Sequence, residues 1–364
     1  MTKSVWLAVL ALVVPPMSAA ATPPDRLAWD VFVTMVAPAR PPKDKAVAFE
    51  TWASDDDIYN AGDRPRWPAG GSKLLRPSLA AAAEAQALQA APPAGCAPRD
   101  GKAGDFPPGA CIGEEVQHNR PVFDAIVAQG LFSKAGLVAA FQTSKPIAFP
   151  PDAIVVKADW ALVSDVLRWK REPYKTVEAV RRAFYTNVAT MNGKRGEYAL
   201  LGLSVQSKAL PRWLWMTFEH RSNPGRCDII GCHDSFGATL ADVPGRAAAN
   251  TDYGPCAKTP ALLALFAQRR LDPVWINYCL KGTQVDFTIS GRPTILANSV
   301  IERMNKGVAV PDTSCITCHA YAAFDATGVP NGSVLPWHPI GAFDPKLLHG
   351  GKQYDYMWGL LAAH

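Results

Sequence analysis

The chain has 364 residues, 48% hydrophobic and 19% charged, with a formal net charge of +5 at neutral pH. That balance is ordinary for a globular protein and leaves room for one large domain or two small ones. The positive surplus is too small and too evenly spread to argue for nucleic acid as a partner.

At the start, Lys3 supplies a positive charge, Val5 to Val14 an apolar run, and Met17-Ser18-Ala19-Ala20-Ala21 small residues for cleavage. This layout predicts a secretory signal peptide over residues 1–21 and not a membrane span, because the run is too short and no stop-transfer charges follow. No later stretch reaches the ~18 apolar residues needed to cross a bilayer, so no transmembrane segment is expected. The mature protein is expected to be periplasmic or secreted.

Residues 22–115 are rich in proline, alanine and glycine and predict long loops with short ordered pieces. Leu27 to Val36 reads as a short helix. Asp55, Asp56 and Asp57 are adjacent carboxylates, which suits a helix N-cap cluster or a solvated turn better than a calcium loop, whose oxygen ligands are spaced. Ser78 to Ala91 reads as a surface helix.

Residues 116–364 form a mixed body. A helix around Val122, Phe123, Ile126 and Val127 stops at Gly130, and Ser133 caps a second one through Phe141. Ile154 to Trp160 alternates as a strand, with Ile154, Val156, Ala158 and Trp160 on one face and Val155, Lys157 and Asp159 on the other. Val177 to Tyr185 reads as a helix and Tyr198 to Val205 as a strand. A third strand, 213–220, puts Leu214, Met216, Phe218 and His220 on one face and Trp213, Trp215, Thr217 and Glu219 on the other. Met216 and His220 are both competent iron ligands, and His220 could serve as an acid–base group; as a core methionine and a hydrogen-bonded strand-end histidine they would need no such role. His118, His233, His338, His349 and His364 lie in loop-like or terminal contexts. Residues 274–290 suggest two strands turning at Lys281-Gly282-Thr283, and Thr294 to Lys306 an amphipathic helix closed by Gly307. Turn signals at Asn331-Gly332 precede an aromatic end, Tyr354, Tyr356 and Trp358, which should dock onto the body.

Cys315-Ile316-Thr317-Cys318-His319, within a segment 311–345, is the most specific motif. C-x-x-C-H reads as a covalent haem site, with Cys315 and Cys318 adding to the two vinyl groups and His319 as proximal iron ligand. A thioredoxin-like pair would want a βαβ context, and half a zinc site would want a second ligand pair; neither is present in the sequence. The other six cysteines, Cys96, Cys111, Cys227, Cys232, Cys256 and Cys279, are an even number in an exported chain, and neighbours favour the pairs 96–111, 227–232 and 256–279. The fold class expected is α+β, a mostly antiparallel sheet or sandwich with surrounding helices and a haem-bearing helical segment near the C-terminus.

Ser-Cys-Ile-Thr-Cys-His-Ala (314–320), Trp-Leu-Trp-Met-Thr-Phe-Glu-His (213–220), Val-Lys-Ala-Asp-Trp (156–160) and Thr-Trp-Ala-Ser-Asp (51–55) together resemble a family of exported bacterial monohaem proteins described as a cytochrome c family. The resemblance runs from about Trp52 to Trp358. It implies one haem c on Cys315, Cys318 and His319 but names no substrate. Members often carry a histidine where this chain has Ser204; if that histidine serves the iron, this chain departs from the family pattern there and its distal side differs. Three functions follow as expectations: a haem oxidoreductase acting on a small oxidant or organic substrate, a one-electron carrier between a periplasmic donor and acceptor, or a haem-based sensor or binding protein. The amount of fold around one cofactor favours the first.

Overall fold

The computed structural model describes residues 22–39, 46–59, 64–69, 73–77, 112–168, 174–223, 225–245, 256–304, 310–330, 336 and 338–363. The signal peptide expected over residues 1–21, the helix expected over 78–91, Cys96, Cys111 and Asn331-Gly332 lie outside the described residues.

Helix α1 (Pro24–Met35) starts on a proline at its first position, where no amide hydrogen is needed, and buries Trp29, Phe32 and Val33. Strand β1 (Ala53–Ser54) leads into the short helix α2 (Asp55–Tyr59), whose first turn holds the three aspartates; Asp57 accepts from both the N–H and the hydroxyl of Ser54. Strands β2 (Leu74–Pro77) and β3 (Ile112–His118) follow. Helices α3 (Arg120–Ala128) and α4 (Lys134–Phe141) are capped by Asn119 and Ser133 side chains, the second cap as the sequence predicts. Gly130 takes φ +68° after α3, a left-handed conformation that glycine adopts freely. Strand β4 (Ile154–Leu162) passes through two short helices, α5 (Val163–Val166) and α6 (Val177–Ala183), to β5 (Thr186–Met191), β6 (Lys194–Ser207) and β7 (Leu214–His220). A two-residue pair, β8 (Cys232–His233) and β9 (Asp242–Val243), precedes α7 (Pro260–Gln268) and β10 (Tyr278–Gln284).

Eight of these strands form one sheet, β1 to β7 and β10, antiparallel at every pairing except β2 with β5. Strand β3 pairs with β2 and β4, β6 pairs with β4 and β5, and the short parallel ladder Leu74–Thr190 and Leu75–Met191 joins the two edges. The sheet therefore curls on itself. The α+β class expected from the sequence is the one observed.

Alternation along the strands divides the core between the two faces. The inner face carries Val156, Ala158, Trp160, Leu203, Val205, Leu214, Met216 and Phe218, packed with Trp29 and Phe32 of α1 and Leu262 and Phe266 of α7. The outer face carries Val155, Trp213 and Trp215, packed with α3, α4, Ile316, Ala320 and the C-terminal Tyr354, Tyr356 and Leu360. The aromatic end docks as expected. Among the described N-terminal residues, α1 packs into the inner core and β3 belongs to the sheet.

Two local expectations are corrected. Lys281-Gly282-Thr283 is no turn: β10 runs through it with a bulge between Leu280 and Gly282. The bulge aims Lys281 at Glu219, both essentially fully buried, with Nζ 3.2 Å from the carboxylate. The turn in this region is Ser290-Gly291, both at positive φ, between β11 (Thr288–Ile289) and β12 (Arg292–Pro293). Residues 294–300 are likewise not helical. Leu296 makes a parallel bridge to Ser314, and the Asn298 side-chain oxygen accepts from the N–H groups of Val300 and Ile301, so helix α8 begins at Ile301 and spans Ile301–Met304 among the described residues. Long-range partners outcompete local helix propensity here.

Two of the three expected disulfides are present, Cys227–Cys232 and Cys256–Cys279, with Cα separations of 4.9 and 5.7 Å. No helix among the described residues is long and apolar enough to cross a membrane.

Candidate functional site

Cys315-Ile316-Thr317-Cys318-His319-Ala320 is a single short helix, α9 (Cys315–Ala320). Ser314 precedes it in extended conformation and its Oγ accepts from the Thr317 N–H. Gln284, at the end of β10, bridges the two elements: its Oε1 accepts from the Ile316 N–H at 2.9 Å and its amide donates to Ser314 Oγ at 2.7 Å. Thr317 Oγ1 donates to the Gly341 carbonyl at 2.7 Å. The helix is thus fixed to the sheet on one side and to the C-terminal segment on the other.

Its two faces differ. Ile316, Thr317 and Ala320 are buried, whereas Cys315, Cys318 and His319 are half-buried. The spacing i, i+3, i+4 puts those three side chains on one face, one above another. Neither cysteine is disulfide-bonded, although the other four described cysteines all are. Cys315 Sγ donates to the Leu296 carbonyl at 3.2 Å. Burial raises both thiol pKa values, that of Cys318 to about 12, and nearby Glu302 adds to the effect. A thioredoxin-type pair needs the reverse, a thiolate stabilised near neutral pH.

His319 Nδ1 lies 2.8 Å from the Tyr356 carbonyl, which can only accept, so Nδ1 carries the hydrogen and Nε2 keeps its lone pair. Burial lowers its pKa to about 4, against the opposing Tyr356 bond, with Lys157 lowering it further; the ring is neutral at physiological pH. Trp215 packs on it with ring centroids 4.6 Å apart. A neutral imidazole with one nitrogen tied to a carbonyl is the form that binds a metal through the other.

The strand 213–220 does approach the motif, but by the face opposite to the two expected ligands. Trp215 meets His319, while Met216, 1% exposed, belongs to the inner core. His220 is fully buried against Phe184 with ring centroids 3.6 Å apart; its Nε2 donates to the Ala183 carbonyl and its Nδ1 accepts from the Ser222 N–H. Both ring nitrogens are used and burial lowers the pKa to about 3. The structure therefore does not bring Met216 or His220 to His319. Period-two alternation separates the faces correctly; which face meets the motif depends on contacts distant in sequence.

Other histidines are placed as follows. His118 ends β3, buried, 2.8 Å from Asp55. His233 pairs with Asp242 and His338 with Asp312, both largely exposed. His349 ends a 3-10 turn in left-handed conformation, and His364 lies outside the described residues.

Beyond Trp215 the outer sheet face turns polar. The next cross-strand row is Lys157, Ser204 and Thr217, followed by Glu114, Asp159, Gly202 and Glu219. Gly202 lets Asn298 lie against the sheet: a Cβ there would come 3.0 Å from Asn298 Nδ2. Lys157 pairs with Glu114 at 2.8 Å, yet 29% of its side chain remains exposed although β4 is flanked by strands on both sides. Ser204 Oγ is buried with no hydrogen-bond partner among the described residues. No group of three or more His, Cys, Asp or Glu side chains among the described residues is arranged to hold a metal ion by itself.

No family model, curated protein or solved structure matches the chain.

Proposed function

We propose that the protein is an exported c-type cytochrome with one covalent haem on Cys315 and Cys318 and His319 as proximal ligand, acting as a haem oxidoreductase on a small substrate. The observation that carries this reading is the face of α9. Two unpaired thiols one turn apart stand beside a neutral imidazole whose Nε2 is left to coordinate, in a chain whose other described cysteines are oxidised. Haem c attachment asks for that donor set. The disulfides suit an oxidising compartment, in keeping with the signal segment.

In this reading the haem supplies one-electron chemistry at its iron. Tyr356 fixes the His319 tautomer and, with Trp215, its ring orientation. Ser314, Gln284 and Thr317 hold the helix that carries the attachment residues. Catalysis is favoured over simple electron carriage because the sequence-expected second ligands, Met216 and His220, are committed to the other side of the sheet. The test is expression with the haem-attachment machinery, followed by intact mass and visible spectra with and without cyanide or carbon monoxide. The expected result is one added haem, lost in C315A/C318A, and a ferrous protein that binds carbon monoxide. A mature mass without haem would end the reading. A six-coordinate protein that excludes both ligands would move it to electron carriage.

A further inference from the structure

The polar part of the outer sheet face is more than a support. Glu302 of α8 accepts a hydrogen bond from the Asn298 N–H and has no ion-pair partner among the described residues. The other carboxylates of the face are held more firmly: Glu114 by Lys157 at 2.8 Å, and Glu219 by Lys281 at 3.2 Å, the Ser299 N–H at 2.9 Å and the Ser299 hydroxyl. Asp159 lies in the same row as Glu114 and Glu219. The adjacent amides of Asn298 and Ser299 bind Glu302 and Glu219 respectively, so the two carboxylates lie side by side, with Lys281 on Glu219 and Lys157 within electrostatic reach of Glu302. The Glu219 carboxylate disfavours a second negative charge at Glu302, while Lys157 and Lys281 favour one. Cys315 Sγ donates to the Leu296 carbonyl at 3.2 Å, two residues before the Asn298 amide that binds Glu302, so the carboxyl stands near the residues that would carry the haem edge.

Resting on the haem reading, we propose that Glu302 is the proton-exchanging group of the redox site. One electron arrives at the iron from an external one-electron donor, and the Glu302 carboxylate takes one proton from solvent, forming a single O–H bond. The negative charge added by reduction is thereby neutralised locally, and oxidation releases the proton. The carboxyl is suited to this near neutrality, since burial raises its pKa to about 7 against the opposing Asn298 bond, Lys157 and Lys281. Sharing a proton between two states in this way is ordinary linkage.

The test is potentiometric titration of the haem-loaded protein from pH 5 to 9 beside E302Q and K157M. The expected midpoint potential falls as pH rises through 7, by up to about 59 mV per tenfold change in proton concentration. E302Q should lose that component, and K157M should move it to higher pH. Superimposable curves for E302Q and the parent protein would overturn the proposal. If E302Q does not fold, the reduced-minus-oxidised infrared spectrum of the parent protein, with and without 13C-labelled glutamate, decides. A protonated-carboxyl band that appears on reduction and shifts with the label supports the proposal, and its absence overturns it. A purified protein lacking haem by mass would instead refute the haem reading itself, which separates the two failures.

Discussion

At the scale of single residues, histidines held neutral in the protein interior contribute to acid stability. His220 and His319 are both held neutral by burial, with one nitrogen donating to a backbone carbonyl. They differ in the second nitrogen. His220 Nδ1 accepts from the Ser222 N–H, so the residue is complete as a structural element. A histidine whose folded pKa, about 3, lies below its unfolded value of ~6.5 leaves the unfolded state binding more protons between those limits. Its contribution to stability is thus intact above pH ~6.5 and is lost as pH falls toward 3, by roughly 1.4 kcal/mol per pH unit once below the unfolded pKa. His220→Gln, which keeps a donor and an acceptor but cannot titrate, should be less stable at pH 7 and show a shallower loss on acidification. Urea unfolding at pH 7, 6, 5 and 4 measures it; parallel pH profiles for the two proteins would contradict the assignment.

At the scale of elements, the capped helices α3, α4 and α6 and the alternating strands β4, β6 and β7 are legible in the sequence, because each is specified by its own side chains. Asn119, Ser133 and Thr176 accept from amides at the start of their helices, and the apolar positions repeat with the right period. The segment 294–304 is not legible in the same way. Its apolar positions fit a helix, but Leu296 is claimed by the outer core and Asn298 and Ser299 by Thr217 and Glu219 of β7, about eighty residues earlier. Lys281-Gly282-Thr283 misleads for a related reason: glycine and polar neighbours signal a turn, and only the distant Glu219 shows that the lysine belongs inside. The motif helix is an intermediate case. Its cap and its face are readable, but its anchor, Gln284, is not. Gln284→Ala removes the acceptor for Ile316 N–H and a donor to Ser314 at once. The expected cost is about 2–3 kcal/mol, from leaving buried polar groups unpaired, with faster amide exchange at residues 315–320. Protection at those amides equal to that of the parent protein would show that the helix does not depend on β10.

At the scale of the molecule, one curled sheet separates two interiors with different work. The inner one is apolar and aromatic, with Trp29, Phe32, Phe218 and Trp275 in mutual edge or tilted contact, and its role is stability. The outer one receives the motif helix and carries buried charge that would be a poor choice for stability alone, since replacing paired buried ions by apolar groups is often neutral or favourable. That asymmetry makes the face of a residue, rather than its distance along the chain from Cys315, the predictor of its effect. The adjacent pair Trp215 and Met216 tests it most directly, because neighbours in one strand point to opposite interiors. Met216→Leu should cost less than about 1.5 kcal/mol, as a near volume-conserving change, and leave the haem spectrum and cyanide affinity of the loaded protein unchanged. Trp215→Leu removes the ring that packs on His319 and should alter both, through the freedom it gives the imidazole, beyond its cost in stability. Denaturant midpoints and ferric cyanide titrations on the two variants, read side by side, separate the terms. A spectral change in Met216→Leu with none in Trp215→Leu would mean that the motif reads the inner face, and the division of labour between the two sides of the sheet would have to be reversed.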